Sequence, residues 1–453
     1  MSGVVGIYSA KRNDVSQLIY YGLYALQHRG QVSSGIAVNN NGYIDYYKEL
    51  GLVHEIFSKD KLERLRGNIG IGHVKYGSSN EEHNQANSLP LVVGYKRGAL
   101  GLTLDGTLVN SKDIMERLQE YGIIFQSRSD GEVIANLIAR NHKDNLEEAI
   151  IKTLKEVEGS HSLILMTSDK LIGARDPFGL KPLCLGKLEN DYILASESCA
   201  FDTIGAEFVR DIEPGEIVVI DNEGIRTIHQ VSKKRSLCLF ELIYFARPDS
   251  LLDGKSIYLS RLEAGRQLAR ESENDGDIVI GAPDSGIVFA IGYAEESKIP
   301  YAEGIIKNRY VGRTFIQPSQ ELRDQGVKIK LNAVKENIQG KRVILVDDSI
   351  VRGTTIKRTV EMLKNAGAKE VHVRIASPPV THSCHLGMDT PSRENLFAAK
   401  LSTEEIQELI GANSLYYLSL DGLVQSMGKN NNGFCAGCFK GEYPIQPLKK
   451  RED

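Results

Sequence analysis

The feature that most constrains the fold of this chain is the segment 343–355, with the sequence VILVDDSIVRGTT. It predicts a buried strand, then two adjacent carboxylates, then a turn of small and hydroxyl-bearing residues that leads into a helix. In open α/β sheets, ligands bind at the carboxyl ends of the strands, which is where this turn lies. A core strand gains nothing from two consecutive carboxylates, so Asp347 and Asp348 indicate a binding site.

The turn that follows these carboxylates has the composition of a phosphate-binding loop. Backbone N–H groups at a helix N-terminus can surround a phosphate, and the residues placed to supply them are Ser349, Gly353, Thr354 and Thr355. The carboxylate pair is placed to hydrogen-bond a ribose diol or to help hold a metal ion. Together these groups predict a site for a phosphorylated sugar.

Bulk properties exclude several classes of protein. A length of 453 residues predicts two domains, and a net charge of −4 argues against a general nucleic-acid binder. No apolar run approaches the ~20 residues needed to span a bilayer, and the start MSGVVGIYSAK lacks the features of a signal peptide. We therefore expect a cytoplasmic protein with no membrane or nucleic-acid partner.

The expected cytoplasmic location predicts the chemical state of the cysteines. In a reducing compartment, the six cysteines are expected to be metal ligands or core residues rather than disulfides. Cys184 and Cys199 have no partner motif, so both are predicted to be small core residues.

The first half of the chain, residues 2–230, is predicted to form one domain. Segments 4–9, 68–76 and 161–167 read as strands, and 217–225 as a hairpin that turns at residues 222–224. Segments 14–27 and 130–140 are predicted helices, the second with Asp130 as its N-cap.

The second half, residues 231–453, has a different pattern. Predicted strands alternate with predicted helices, and Gly367 is placed to end the helix over residues 355–365. Such alternation indicates a mostly parallel sheet with helices on its faces.

The segment 343–355 resembles the signature of the type I phosphoribosyltransferases, which bind 5-phosphoribosyl 1-pyrophosphate (PRPP). With its flanks, nearly the whole chain is similar to the amidophosphoribosyltransferase family. The similarity includes LQHRGQ at 26–31, ARDPFGLKPL at 174–183 and KNRYVGRTFIQPSQ at 307–320. It implies an α+β N-terminal-nucleophile hydrolase-like αββα domain, followed by an α/β type I phosphoribosyltransferase domain with a mostly parallel sheet.

The activity implied by this resemblance has two halves. In that family, one domain frees ammonia from glutamine, and the other adds it to PRPP with loss of pyrophosphate. The product, phosphoribosylamine, is the first committed intermediate of purine synthesis. The resemblance also implies a homo-oligomer, specifically a tetramer, with feedback inhibition by purine nucleotides.

The segment 307–330 carries six basic residues against two acidic ones. Charge alone would also fit a solvated basic loop. The resemblance implies a loop that closes over PRPP and excludes water from an oxocarbenium-like centre. The implied PRPP-binding residues are Lys307, Arg309, Arg313, Lys328, Lys330, Asp347, Asp348, Ser349, Arg352, Gly353, Thr354 and Thr355.

A metal site is implied beside these residues. Ser285 follows the predicted strand DIVIGA, and the resemblance places it with Asp347 and Asp348 around a magnesium ion. Magnesium prefers oxygen ligands and usually bridges a few protein groups to phosphates, so the residue types suit it.

A second metal centre is implied by four cysteines. The CxxC motif of Cys435 and Cys438 by itself is compatible with zinc, iron–sulfur or redox chemistry, or with ordinary thiols. Cys238 and Cys384 match two further positions of the cluster-bearing branch of the family. The resemblance therefore implies a [4Fe–4S] cluster that joins the C-terminal tail to the transferase domain, in a structural role.

The implied glutaminase site departs from the family's pattern. Ser2 stands where the family has a nucleophilic cysteine, although related hydrolases do use serine. Lys75 replaces an arginine that forks around the glutamine carboxylate, and it loses that bidentate geometry. Gly77 replaces a serine. Asp105 replaces an asparagine that donates to the oxyanion, which an ionised carboxylate cannot do.

The remaining residues of that pocket are partly retained. Gly106 follows Asp105 as in the family, and Asp130 is retained, with Gly131 in place of a threonine. Several changes in one pocket predict that glutamine hydrolysis is lost and that free ammonia, or ammonia from a partner, serves the transferase. We also expect Lys75 to pair with Asp105 and close the pocket; the alternative is drift without compensation.

Three other interpretations of function stay open. One is a complete glutamine-dependent enzyme in which Ser2 works or is an engineered substitution. Another is a transferase that uses a different amine or base as acceptor. The third is a PRPP-sensing regulator, which is opposed by the lack of a basic helix-turn-helix segment and by the intact closing loop.

Overall fold

The computed structural model describes residues 1–77, 85–273, 275–308, 310, 331–428 and 433–446. The first half forms two antiparallel sheets stacked between helices, which is the expected αββα arrangement. The strands are β1 (Ser2–Tyr8), β2 (Ser33–Asn40), β3 (Tyr43–Leu50), β4 (Ile69–Lys75), β5 (Leu91–Tyr95), β6 (Gly98–Leu108), β7 (Gly159–Met166), β8 (Leu171–Arg175), β9 (Cys184–Leu188), β10 (Asp191–Ala195), β11 (Glu207–Asp211), β12 (Glu216–Asp221) and β13 (Gly224–Gln230). One sheet has the order β11-β9-β10-β1-β4-β2-β3, and the other has the order β13-β12-β8-β7-β6-β5.

Helices cover the outer faces of both sheets. Ile19 and Leu23 of the first helix pack on one sheet, while Val133 and Leu137 of the fifth helix pack on the other. The helices are α1 (Val15–Ala25), α2 (Val53–Ile56), α3 (Lys59–Arg64), α4 (Ser111–Glu120), α5 (Asp130–Asn141), α6 (Leu146–Glu156) and α7 (Cys199–Ile204).

Strand β4 illustrates how the sequence produces these layers. Ile69 and Ile71 belong to the apolar cluster between the two sheets. Gly70 and Gly72 alternate with them and face α1, because successive residues of a strand point to opposite faces. A Cβ on Gly72 would lie 2.4 Å from Cγ2 of Ile19. Glycine at these positions therefore lets the helix approach the sheet closely.

The second half contains a four-stranded sheet of order β17-β20-β21-β22, in which every pairing is parallel. The strands of this half are β14 (Leu237–Cys238), β15 (Leu251–Leu252), β16 (Lys255–Ser256), β17 (Ile278–Gly281), β18 (Ile305–Lys307), β19 (Leu331–Ala333), β20 (Arg342–Asp347), β21 (Glu370–Ile375), β22 (Ser414–Tyr417) and β23 (Phe434–Cys435). The mostly parallel sheet predicted for this half is confirmed.

Helices flank this sheet on both sides. Ile257 and Phe289, from α8 and α9, join the cluster on one face, and Val360 and Ile406, from α11 and α12, join the cluster on the other. The helices are α8 (Ile257–Glu271), α9 (Ile287–Ser297), α10 (Lys335–Ile338), α11 (Thr354–Asn365), α12 (Thr403–Ile410), α13 (Leu420–Ser426) and α14 (Gly437–Lys440). Within the described segments, no helix has both the length and the apolar character needed to cross a membrane.

Most local predictions agree with these elements, with one correction. Gly367 follows α11 with φ +95°, as expected for a residue that ends a helix. The predicted N-cap Asp130 is wrong by one residue. The N-cap of α5 is Ser129, whose side chain accepts a hydrogen bond from the N–H of Gly131 at 3.2 Å. The Asp130 side chain binds the N–H of Leu108 instead.

Candidate functional site

The predicted sugar-binding carboxylates lie at the carboxyl end of β20, beside the end of edge strand β17. Parallel pairing of Gly281 with Val346 brings both strand ends to the same edge of the sheet. Asp348 is only 5% exposed, and its Oδ2 accepts a hydrogen bond from the Ser349 hydroxyl at 2.5 Å. The backbone N–H of Asp348 donates to Oδ1 of Asp347 at 2.9 Å. These bonds orient the two carboxylates at the edge where such sheets bind ligands.

The electrostatics of the carboxylate pair favour a bound cation. Burial, and then the adjacent charge of Asp348, raise the pKa of Asp347 well above its ordinary value. A divalent ion beside these oxygens would offset the repulsion between them, and oxygen atoms are the ligands that magnesium prefers. The donor chemistry therefore fits the predicted magnesium site.

The turn after β17 brings Ser285 to the same edge. The N–H of Ala282 donates to the carbonyl of Val346 at 2.9 Å. A Cβ on Gly286 would lie 2.5 Å from that same oxygen, so the turn passes tightly along the end of β20. Ser285 is half-buried between these two contacts. All three residues predicted to hold the metal therefore lie at one edge of the sheet.

The predicted phosphate loop ends at the start of α11. Gly353 has φ +67°, a left-handed conformation that favours glycine. A Cβ there would lie 2.1 Å from the ring of Phe397, and the N–H of Phe397 donates to the carbonyl of Val351 at 3.1 Å. Thr354 and Thr355 open the helix and are exposed. Phe397 therefore packs against this loop and stabilises it. No sequence pattern had indicated this role.

The basic residues predicted to meet the pyrophosphate are only partly described. Lys307, at the end of β18, forms an ion pair with Asp284 in the turn after β17. This contact brings the start of the basic segment to the carboxylate edge. Arg352 is exposed in the phosphate loop. The other predicted basic residues, Arg309, Arg313, Lys328 and Lys330, lie outside the described residues.

The second predicted site surrounds the start of the chain. Ser2 is 7% exposed, and its hydroxyl donates to the carbonyl of Met1 at 2.7 Å. Strand register places Ser2 directly opposite Lys75, which the sequence assigned to the same pocket. Nζ of Lys75 donates to the carbonyl of Asn87 at 3.1 Å. Ser2 and Lys75 are therefore neighbours, as the resemblance implied.

A buried charge network, centred on Arg29, occupies the floor of this pocket. The fully buried guanidinium of Arg29 meets Oδ2 of Asp105 at 3.0 Å and Oε1 of Glu197 at 2.6 Å. It also meets Oε2 of Glu241 at 3.0 Å, and Lys181 meets Oε1 of Glu241 at 3.1 Å. Every one of these side chains is buried. The charges of the network therefore depend on one another.

The expected pairing of Lys75 with Asp105 is wrong, because Asp105 forms its described ion pair with Arg29. Burial alone would raise the pKa of Asp105, but Lys181 and Arg29 lower it below its ordinary value. Asp105 is thus ionised at neutral pH. Arg29 and Lys181 were not identified as functional residues, although both lie within the motifs at 26–31 and 174–183 on which the resemblance rests.

Gly106 and Asp130 complete the predicted pocket. Gly106 has φ +141°, and a Cβ there would lie 2.1 Å from the carbonyl of Ser160, so only glycine fits. Oδ2 of Asp130 accepts from the N–H of Leu108 at 2.9 Å, and burial raises the pKa of Asp130. Asp130 is therefore fixed against the strand that carries Asp105. Gly77 is at the end of the described segment and half-buried.

The four cysteines predicted to hold a cluster come together at the junction of the two halves. Parallel pairing of β14 with β23 places Cys238 opposite Cys435. The N–H groups of residues 381 and 382 donate to the carbonyl of Cys438, and the N–H of Leu386 donates to Sγ of Cys384 at 3.3 Å. Burial, and then the three other thiols, raise the pKa of Cys438. All four sulfurs therefore share one site.

Four thiols are the ligand set of a [4Fe–4S] cluster, so the residue types fit the predicted centre. Among the described residues, no group of three or more His, Cys, Asp or Glu side chains is arranged to hold a single metal ion. Cys184 and Cys199 are buried in the first half, which confirms that they are core residues.

Comparisons with known proteins cover both sites. The family model described as a glutamine amidotransferase domain matches residues 80–203, and the phosphoribosyl transferase domain model matches residues 250–377. The chain is 46% identical to the amidophosphoribosyltransferase of Archaeoglobus fulgidus and 47% identical to that of Methanocaldococcus jannaschii. In each case the similarity covers 98% of this chain and 98% of the relative.

Solved structures give the same result. One described as the allosteric regulatory enzyme of purine biosynthesis has a TM-score of 0.94 at 44% identity, over 99% of this chain and 97% of its own. The glutamine PRPP amidotransferase of Bacillus subtilis, complexed with ADP and GMP, has a TM-score of 0.93 at 45% identity, over 99% of this chain and 98% of its own.

Proposed function

Because the chain belongs to the amidophosphoribosyltransferase family, whose members are phosphoribosyltransferases of purine synthesis, we propose that it forms 5-phosphoribosylamine from PRPP with ammonia as nitrogen donor. The observation that carries this proposal is the carboxylate pair Asp347–Asp348, followed by the Gly353 turn at the carboxyl edge of a parallel sheet. We assign residues 2–230 to the amidotransferase-like domain and residues 231–453 to the transferase domain.

The transferase residues have separable roles in this proposal. Asp347 and Asp348 accept hydrogen bonds from the ribose hydroxyls, and the N–H groups of residues 349–355 bind the 5-phosphate. Magnesium held by Ser285 and the carboxylates would neutralise part of the pyrophosphate charge. Lys307 is paired with Asp284 and can exchange this partner for a pyrophosphate oxygen. By resemblance, Arg309, Arg313, Lys328 and Lys330 add positive charge from the closing segment.

The reaction then needs little covalent chemistry from the protein. The lone pair of ammonia forms a bond to C1 of the ribose while the bond from C1 to the pyrophosphate oxygen breaks. Positive charge develops on the sugar and negative charge on the leaving group. The protein orients the ribose through its hydroxyls, stabilises the leaving group with cations, and excludes water, which would otherwise compete as a nucleophile.

We infer ammonia rather than glutamine as the nitrogen donor from the state of Asp105. Its Oδ2 is bound to Arg29, and its Oδ1 is buried with no hydrogen-bond partner among the described residues. The ionised side chain is an acceptor at the position where the family places a donor to the oxyanion. Loss of one such donor lowers turnover about 100- to 1000-fold, and a negative charge there adds repulsion. Ser2, Lys75 and Gly77 weaken the site further.

We also propose a [4Fe–4S] cluster at the thiol site. Cys238, Cys384, Cys435 and Cys438 are buried or half-buried, and the other three thiols lie close enough to Cys438 to raise its pKa. When bound, a cluster would connect the C-terminal segment to the start of the transferase domain, which favours a structural role.

Two further inferences concern regulation and assembly. Feedback by purine nucleotides is supported by the relative that was crystallised with ADP and GMP. We infer a homo-oligomer, specifically a tetramer, from the family alone. Sedimentation velocity with and without these nucleotides would test both.

The decisive experiment measures pyrophosphate release from PRPP and magnesium by anaerobically purified protein, with ammonium or glutamine as donor and with glutamate measured in parallel. We expect turnover with ammonium only, at a rate that rises with pH as free ammonia increases. Asp347→Asn should abolish this turnover and serve as the background control.

Other outcomes would select among the alternatives. Equal amounts of glutamate and pyrophosphate with glutamine would overturn ammonia dependence, and Ser2→Ala should then abolish the glutamine reaction. PRPP binding without pyrophosphate release under either condition would favour a sensor or a different acceptor. Under the leading proposal, the combined variant Ser2→Cys, Lys75→Arg and Asp105→Asn should gain glutaminase activity, because these three groups act as a unit.

A further inference from the structure

One side chain, Tyr443, bridges the two chain segments that carry the C-terminal thiols. Its hydroxyl donates to the carbonyl of Ser383 at 2.7 Å. Its ring lies against the ring of His385, with a centroid separation of 4.3 Å and an interplanar angle of 57°. Ser383 and His385 are the residues on either side of Cys384. Tyr443 therefore contacts the Cys384 segment on both sides of the thiol.

The Tyr443 ring also packs on the CxxC loop. A Cβ on Gly437 would lie 2.2 Å from Cδ1 and 2.3 Å from Cε1 of this ring. Gly437 stands between Cys435 and Cys438, so the ring rests directly on the backbone that joins them. Only a residue without a side chain permits so close an approach.

The segment that carries Tyr443 turns back over the thiols. Tyr443 and Ile445 pack against a buried apolar cluster that includes Leu386 and Cys435. The carbonyl of Ile445 is 2.8 Å from Nε2 of His385, which fixes the end of the turn. Glu442, by contrast, is exposed. Exposed Glu442 thus alternates with the packed side chains of Tyr443 and Ile445. This pattern places the apolar side of the segment on the thiol site and its charged side in solvent.

We propose that Tyr443 is a positioning residue for the iron–sulfur cluster, holding the Cys384 segment against the CxxC loop and limiting the access of small reagents to the iron. This inference rests on the cluster proposed above. Separation of the two segments exposes the Tyr443 ring and breaks its hydrogen bond, so both contacts oppose an opening through which a bound cluster would lose iron.

The test measures iron release from the anaerobic holoenzyme to an excess of a ferrous chelator, together with the decay of the visible absorbance of the cluster. Tyr443→Ala should release iron about tenfold faster or more, because the contacts of the half-buried ring with His385 and Gly437 are lost. Tyr443→Phe keeps the ring and should accelerate release only about two- to fivefold. Glu442→Ala is the matched control and should behave as the wild type.

A second variant tests the ring contact without changing Tyr443. Gly437→Ala should displace the ring and accelerate iron release as much as Tyr443→Ala does. In a protein that already carries Tyr443→Ala, the Gly437→Ala substitution should add little, because the contact it disrupts is gone. Additive effects of the two substitutions would count against the proposed contact.

The outcomes separate this inference from the proposed cluster. A wild-type protein without iron and visible absorbance would overturn both. A wild-type protein that holds iron, with Tyr443→Ala and Gly437→Ala releasing it at the wild-type rate, would overturn the role of Tyr443 alone. Circular dichroism of each variant before the assay establishes that faster release does not come from global unfolding.

Discussion

The charge network around Arg29 leads to a sharp prediction about stability. The guanidinium is fully buried and contacts three carboxylates at distances from 2.6 to 3.1 Å, and its Nε donates to the carbonyl of Ser2 at 2.8 Å. Glu241 belongs to a π-helical turn in the second half of the chain, whereas Asp105 and Glu197 lie in the first. Arg29 therefore balances charge between the two halves of the protein.

The expected loss in the free energy of unfolding depends on which buried charged groups remain after each substitution. Arg29→Met keeps a similar volume but leaves three buried carboxylates, with Lys181 as their remaining ion-pair partner among the described residues and His28 as a hydrogen-bond partner. Removal of one partner from a buried ion pair costs about 3–5 kcal/mol. Asp105→Asn leaves Arg29 with both glutamates, and the amide oxygen can still accept its hydrogen bond. We therefore expect this second variant to cost about 1 kcal/mol.

Urea denaturation followed by circular dichroism would measure both changes in the free energy of unfolding. Arg270→Met is the matched control, because Arg270 pairs with Glu263 and Glu296 and all three side chains are 35–43% exposed. A surface network of this kind contributes about 0–1 kcal/mol. The reasoning would be refuted if Arg29→Met cost no more than Arg270→Met, or if Asp105→Asn destabilised the protein as much as Arg29→Met.

Two other predictions concern different parts of the molecule. Burial, and then Asp253, raise the pKa of Asp211 to about 6, above its unfolded value of about 3.9. Folding thus favours the protonated form of Asp211. This carboxyl stabilises the folded protein fully below about pH 4, and that stabilisation is lost as pH rises through about 6. Asp211→Asn should therefore be more stable than the wild type above pH ~6, by about 1–2 kcal/mol in urea denaturation, with the difference shrinking at lower pH. Gly353→Ala should raise KM for PRPP about tenfold, since alanine is strained at φ +67° and would collide with Phe397; Gly340→Ala has a similar φ of +76° in open space and should leave KM unchanged.

The sequence alone was enough to predict the strand, the carboxylates and the turn at 343–355. A strand of apolar residues, two carboxylates and a turn with glycine and threonine are contiguous from 343 to 355, so their order in the chain is also their order in space. Parallel strands end at a common edge, which is why Ser285, assigned to the metal site by the resemblance, lies at the same edge as Asp347. The layers of the first half follow from short-range patterns such as the alternation of isoleucine and glycine in β4.

Only the tertiary structure decided which charges meet. Asp105 was expected to pair with Lys75, yet it meets Arg29, which precedes it by 76 residues, and shares that partner with Glu241 from the other half of the chain. Similarly, Tyr443 contacts Ser383 across 60 residues. Local sequence patterns determine strands, helices and turns because neighbouring residues share their backbone geometry. The partner of a buried charge or ring depends on how distant segments pack, and no short-range pattern contains that information.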